Sequence, residues 1–184
     1  METMNKYKII FTGPVGAGKT TAIAAISDKP PISTNEAASD MTALRKSQTT
    51  VAMDYGIKYL DNNDVLHLYG TPGQERFNFM WDILTEGGLG LILLIDNRGE
   101  NPFGDLSFYL TAFKEFIDNT GVAIGIVGMD INTQPTLSQY HQELKRLGYG
   151  DAPLFEVDAR SKHDVSIMLE ALLYSISSKV KALA

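Results

Sequence analysis

An α/β domain, with a mostly parallel sheet covered by helices on both faces, is the fold class that this sequence predicts. Apolar, β-branched runs alternate along the chain with segments of helical period. Parallel strands need helix-length crossovers that pack back onto the sheet, so this alternation selects that architecture. The length of 184 residues suffices for one domain with a full core and is too short for two, so residues 1–184 are read as a single domain.

The elements follow in order. Residues 6–12 (KYKIIFT) read as a strand and 19–27 as a helix; 51–60 and 65–69 read as strands joined by the turn DNND, an antiparallel hairpin at the sheet edge. A helix over 78–85, a strand over 89–95, a helix over 106–117 and a strand over 122–126 continue the alternation. A helix over 137–147, a strand over 154–157 and a helix over 164–179 close it. The expectation is six strands, one of them an antiparallel edge strand, and five helices. Residues 28–49, with two prolines and many small polar residues, read as a long loop, and loops of that length in compact domains usually serve a function.

Composition excludes several functions. A formal charge of −6 and a pI near 5.0 oppose nucleic-acid binding, which needs a basic face, and favour a basic partner. With no cysteine there is no disulfide, thiolate metal site or cysteine nucleophile, which suits a reducing cytosol; a cytoplasmic location is expected. The longest apolar run, LGLILLI, is far below the ~20 residues that span a bilayer. The first residues show no signal-peptide core and the tail offers no prenylation cysteine, so no direct membrane anchor is expected.

The stretch GPVGAGKTT, residues 13–21, follows the first strand and opens the first helix. Gly13, Gly18, Lys19 and Thr20 fit the pattern Gly, four residues, Gly-Lys-Ser/Thr, and the strand–helix setting is the one this phosphate-binding motif requires. Main-chain N–H groups of Gly13, Val15, Gly16, Ala17, Gly18 and Thr21 can wrap phosphates at the positive end of the helix. Lys19 supplies a point charge to the outer phosphates, and the Thr20 hydroxyl is a magnesium (Mg2+) ligand in this chemistry. The fold is therefore read as a P-loop NTPase, with ligands at the carboxyl ends of the strands.

From here the chain resembles the small GTPases of the Ras, Rab and Arf kind, in element order over nearly its whole length. In QTTVAMDYG, Thr50 stands where that resemblance implies a threonine closing over Mg2+ and the γ-phosphate; in GTPGQERF, Gly73 stands at the glycine that meets the γ-phosphate. Gln74 stands at the glutamine that orients the attacking water. The TTVAMD and GTPGQ blocks are similar to those of bacterial MglA-type polarity GTPases and of predicted ATP/GTP-binding proteins that accompany Roadblock-domain partners. The resemblance implies a Ras-like G domain with GTP/GDP and Mg2+ as ligands. It also implies catalysis by Gln74, Lys19 and Thr50, and a Roadblock-type or other GTPase-activating or effector partner. A monomer is expected.

The sequence also departs from that pattern. Gly70 occupies the place of an aspartate that normally holds Mg2+ through water, which predicts weaker metal binding or a substitute carboxylate. Asp54 and Asp96 are candidates, although nothing in the spacing demands either, and the ordinary reading of each is a solvated strand-end residue. Val15 stands where relatives carry a smaller side chain and could crowd the water, so slow unassisted hydrolysis is expected. The base motif Asn-Lys-x-Asp aligns with Val127-Gly128-Met129-Asp130: only the acid remains, able to accept two hydrogen bonds from guanine, while adenine would leave it poorly paired. Asp158, Ala159 and Arg160 take the places of a Ser-Ala-Lys loop, with the Ala159 N–H toward the guanine O6 and Arg160 over the base face.

Arg45 and Arg76 lie in the segments of Thr50 and Gln74, the two regions that the resemblance implies switch with the nucleotide; an internal arginine there could neutralise charge building on the γ-phosphate, and the ordinary reading of each is a surface charge. His67, His141 and His163 show no metal-ligand spacing. The expected function is a guanine-nucleotide-dependent switch that hydrolyses GTP slowly, in bacterial signalling, polarity or surface motility. The alternative is a nucleotide-binding scaffold with little turnover, taking GTP or ATP, in a Roadblock-type complex. A small-molecule kinase would need a second substrate site and an arginine-rich lid, for which the chain offers little room.

Overall fold

A computed structural model describes residues 5–33, 53–61, 63–73 and 78–183, with side chains described as far as residue 178. The elements in chain order are β1 (Lys6–Thr12), α1 (Lys19–Ile26), β2 (Ile32–Ser33), β3 (Asp54–Tyr59), β4 (Val65–Gly70), α2 (Phe79–Thr85) and β5 (Gly90–Asp96). They continue with α3 (Pro102–Ala112), α4 (Lys114–Asn119), β6 (Val122–Val127), α5 (Leu137–Leu147), β7 (Leu154–Glu156) and α6 (Lys162–Leu183).

The strands form one sheet in the order β2-β3-β4-β1-β5-β6-β7. Pairings β4–β1, β1–β5, β5–β6 and β6–β7 are parallel, while β3 runs antiparallel to both β2 and β4. Side chains alternate across the sheet as the pleat requires. Ile9, Phe11, Ile92 and Leu94 face α1 and α6, and pack on Ile23, Val165, Met168 and Leu172. Ile10, Leu91, Leu93 and Ile95 face the other way, toward Trp81, Leu106, Tyr109, Ile117 and Tyr140. Strands covered on both faces explain the uninterrupted apolar run in β5.

The fold class stands, with three corrections to the element list. Seven strands occur among the described residues, because Ile32–Ser33, read as loop, pairs with Asp54 and Tyr55 of β3. The antiparallel strand β3 is thereby covered and is not the edge. The helix expected over 106–117 begins earlier and is two: Asn101 caps it by accepting from the Gly104 N–H at 3.0 Å, Pro102 sits at its start, and Phe113 breaks it at φ −100° and ψ 13°. A prolyl ring is compatible with the first helical turn, which is why Pro102 opens the helix. The rest of the predicted loop, residues 34–49, lies outside the described residues.

Candidate nucleotide-binding site

β1 delivers the chain to the phosphate motif at the carboxyl edge of the sheet. Gly13 has φ +140°, and a Cβ there would stand 2.1 Å from the Leu94 carbonyl oxygen of β5. Gly16 and Gly18 also have positive φ, 82° and 88°, so the loop curls with glycine in the left-handed region. Gly18 begins α1 without a side-chain cap, and the first N–H groups of a helix have no intrahelical acceptor, which suits this end to an anion. Val15 is 68% exposed at the tip.

Lys19 is 7% exposed, and its ammonium donates to the carbonyls of Gly13 at 2.7 Å and Pro14 at 2.8 Å. Burial pushes its pKa down to about 8, opposed by the nearby Asp54 carboxylate. Thr71 ties the start of the segment that leads to Gly73 to the cradle strand: its N–H donates to Phe11 O at 2.9 Å, and its hydroxyl meets that of Thr12 at 2.8 Å in full burial. Gly73 lies so near that a Cβ would come within 2.8 Å of both the Lys19 Nζ and the Val15 nitrogen. The Gly73 carbonyl accepts from the Tyr109 hydroxyl at 3.3 Å, and the Pro72 carbonyl from the Trp81 indole at 3.4 Å.

The Thr20 hydroxyl donates to Asp54 Oδ2 at 2.5 Å. Asp54 is 7% exposed, and its other carboxylate oxygen, Oδ1, is buried with no hydrogen-bond partner. A buried carboxylate oxygen without a donor is costly unless a cation or bound water completes it. A hydroxyl beside a carboxylate, at the mouth of a phosphate loop, is the oxygen donor set Mg2+ takes when it keeps several waters. The residues fit the ion, and Asp54 rather than the sequence position of Gly70 would supply the acid. Asp96, the other candidate, is bound to Arg98 instead. Among the described residues no group of three or more His, Cys, Asp or Glu gathers into a separate metal cluster.

A cleft of about 660 Å3 opens beside the cradle, within the usual range for a small ligand. Its lining joins Gly16 and Gly18 of the phosphate loop to Asp130 after β6 and to Asp158, Ala159 and Arg160 after β7. A Cβ on Gly18 would touch the Ala159 Cβ at 2.9 Å, so the two loops are in close contact. Arg160 is held by Asp158 through paired bonds of 2.9 Å, which keep the Asp158 carboxyl near a pKa of about 2. The structure thus brings Gly16, Ala17, Gly18, Thr21, Asp130 and the 158–160 loop to one cleft, with Lys19, Thr20 and Gly73 at its phosphate end. Thr50 and Gln74, like Arg45 and Arg76, lie outside the described residues.

Comparison with known proteins agrees with this geometry. The chain is similar to the Ras-related protein RabC of Dictyostelium discoideum, 23% identical over 98% of this chain and 89% of that protein. It is similar also to bovine Rab-8A, 25% identical over 96% of this chain and 79% of that protein, and to bovine Rab-8B at 25% over 95% and 80%. Residues 29–118 match a family described as conserved hypothetical ATP binding protein. Together with the α/β fold, these similarities support a Ras-like small GTPase. No helix among the described residues is long and apolar enough to cross a membrane.

Sequence reasoning underrated Asp54 in this site, although the signal was available. The hairpin pairs Tyr59 with Val65, and counting back equally along both strands pairs Asp54 with Gly70. A second feature was missed. Asn97, fully buried after β5, donates to the carbonyls of Asn132 at 2.5 Å and Pro135 at 3.2 Å and accepts from the Tyr140 hydroxyl at 2.8 Å. The Asn132 side-chain amide donates in return to the Asn97 backbone carbonyl at 2.9 Å. This network fixes the loop that carries Asp130, and nothing in the spacing of those residues announces it.

Proposed function

We propose that this chain is a guanine-nucleotide-dependent switch that binds GTP and GDP with Mg2+ and hydrolyses GTP slowly without a partner. The observation that carries the reading is the continuous cleft from Gly16 and Gly18 to Asp130, with the Thr20–Asp54 oxygen pair at its phosphate end. Lys19 and the N-terminus of α1 neutralise the phosphates. Thr20 and Asp54 would hold Mg2+, which when bound draws charge from the β- and γ-phosphate oxygens. Asp130 accepts from the guanine N1–H and amino group, the Ala159 N–H faces O6, and Arg160 covers the base.

Gln74 orients the hydrolytic water, and Thr50 with Gly73 reads the γ-phosphate, so that the flanking segments order with GTP and release after hydrolysis. The exposed Val15 at the loop tip crowds the water and slows turnover. The sequence resemblance supports a role in bacterial signalling, polarity or surface motility, with a Roadblock-type or other activating partner; the absence of cysteine supports a cytoplasmic location, and the chain is read as a monomer. The family description that names ATP favours one rival, a nucleotide-binding scaffold that tolerates ATP and turns over little.

Affinities of nucleotide-free protein for GDP, GTP and ATP, with and without Mg2+, test both readings when repeated on Asp130→Ala. Guanine preference that disappears in the variant supports the switch. Equal ATP binding by the wild type favours the tolerant scaffold, and single-turnover phosphate release then decides whether it hydrolyses at all.

A further inference from the structure

We propose that Arg98 is a specificity-determining wall of the base end of this cleft, its stem in the space that Gly128 leaves open and its guanidinium stacking on a purine. The proposal rests on the nucleotide reading above and adds a residue that no motif marks.

Three geometric facts converge. First, the sheet order β5-β6-β7 sets Arg98, Asp130 and Arg160 in a row, one on the loop after each strand, and all three line the cleft. Second, the Arg98 stem lies against the backbone of Gly128: a Cβ there would stand 2.7 Å from Nε, 2.9 Å from Cδ and 3.0 Å from Cγ. Gly128 also has φ +76°, a conformation that favours glycine. A side chain at 128 and the observed place of Arg98 therefore exclude each other. Gly128 aligns with the lysine of Asn-Lys-x-Asp, so the loss of that lysine and the arrival of Arg98 are one exchange in space.

Third, the charge of Arg98 is already matched. Asp96 accepts from its Nε and Nη2 at 2.8 Å each and from its backbone N–H at 2.9 Å. Asp158 holds Arg160 in the same way, with all three bonds at 2.9 Å. A guanidinium whose edge is engaged by a carboxylate can still offer a flat face, and such a face suits an uncharged aromatic ring better than a phosphate. Asp130, whose field reaches both guanidiniums, stands between them to accept from the N–H groups of a base edge. The ligand chemistry is a purine with paired donors on that edge.

Competition binding of GDP and of inorganic tripolyphosphate, both with Mg2+, tests the idea in wild type, Arg98→Ala and Asp96→Asn. The ratio of GDP affinity to tripolyphosphate affinity should fall about 3- to 30-fold in Arg98→Ala, and in the same direction by less in Asp96→Asn. The tripolyphosphate arm also reports whether the cradle of each variant is folded. In wild type, the Arg98 Nε–H resonance should move upfield with GDP, under the ring current of the base, and stay in place with tripolyphosphate. A ratio unchanged within twofold, or a resonance that tripolyphosphate moves as far as GDP does, overturns the assignment of Arg98 while leaving the nucleotide reading intact. Wild-type protein that binds neither ligand overturns both.

Discussion

Asp54 and Gly70 face each other across the antiparallel β3–β4 pair, and the Cβ that Gly70 lacks would stand 3.1 Å from the Asp54 Cβ and 3.2 Å from its Oδ2. The acid absent from one strand is thus supplied by its neighbour, and the two positions cannot both carry a side chain without rearrangement. Gly70→Asp should destabilise the fold by about 1–3 kcal/mol through overpacking against Asp54 and Ile23. Adding Asp54→Gly should restore part of the loss, since contacting sites couple; urea denaturation of the two single variants and the double variant gives the coupling.

Asp54→Ala removes the carboxylate from Thr20 and the orphaned oxygen with it. Phosphate contacts persist, so the expected loss is in the metal-dependent part of binding. The tightening of GDP binding by Mg2+ should fall on the order of 10- to 100-fold. An unchanged Mg2+ response would show that the metal takes its acid elsewhere.

Lys19 makes stability and binding depend on alkaline pH. Its folded pKa, about 8, lies below its ordinary value of 10.5, so between these values the unfolded chain binds more protons than the native one. Stability of the ligand-free protein should therefore rise with pH across that window, by on the order of 3 kcal/mol from this group at most. A phosphate anion beside the ammonium favours its charged form, so GDP binding near pH 9 should take up protons. Calorimetry in buffers of different ionisation enthalpy measures the uptake, which Lys19→Met should abolish.

Tyr140→Phe leaves the Asn97 side-chain oxygen without its buried donor. The expected cost is about 1–3 kcal/mol, and the loop of Asp130 should loosen with it. Amide exchange at residues 128–135 would rise in the variant; protection equal to wild type would mean that the loop is held by other contacts.

Trp81, the only tryptophan in the chain, reaches from α2 to the Pro72 carbonyl and stacks on Phe113 at 4.9 Å. Its emission should therefore differ between the GDP-bound protein and that bound to a non-hydrolysable GTP analogue. Identical spectra would argue that ordering near Gly73 does not reach α2.

Local chemistry made much of this molecule legible in advance. The phosphate cradle is contiguous, so Gly13, Gly18, Lys19 and Thr20 announce it by spacing alone, and the buried strands show as apolar runs because both faces are covered. The break at Phe113 was not legible, since residues 106–117 keep an apolar period through it, and the start at Pro102 depends on the cap from Asn101. The sequence by itself determined the alternation of elements, the cradle and the surviving base acid. Only the tertiary structure decided that Asp54 meets Thr20, 34 residues away, and that Arg98 fills the space over Gly128. Both depend on which strands lie side by side, and strand order is set by packing the whole sheet between its helices rather than by any local stretch of chain.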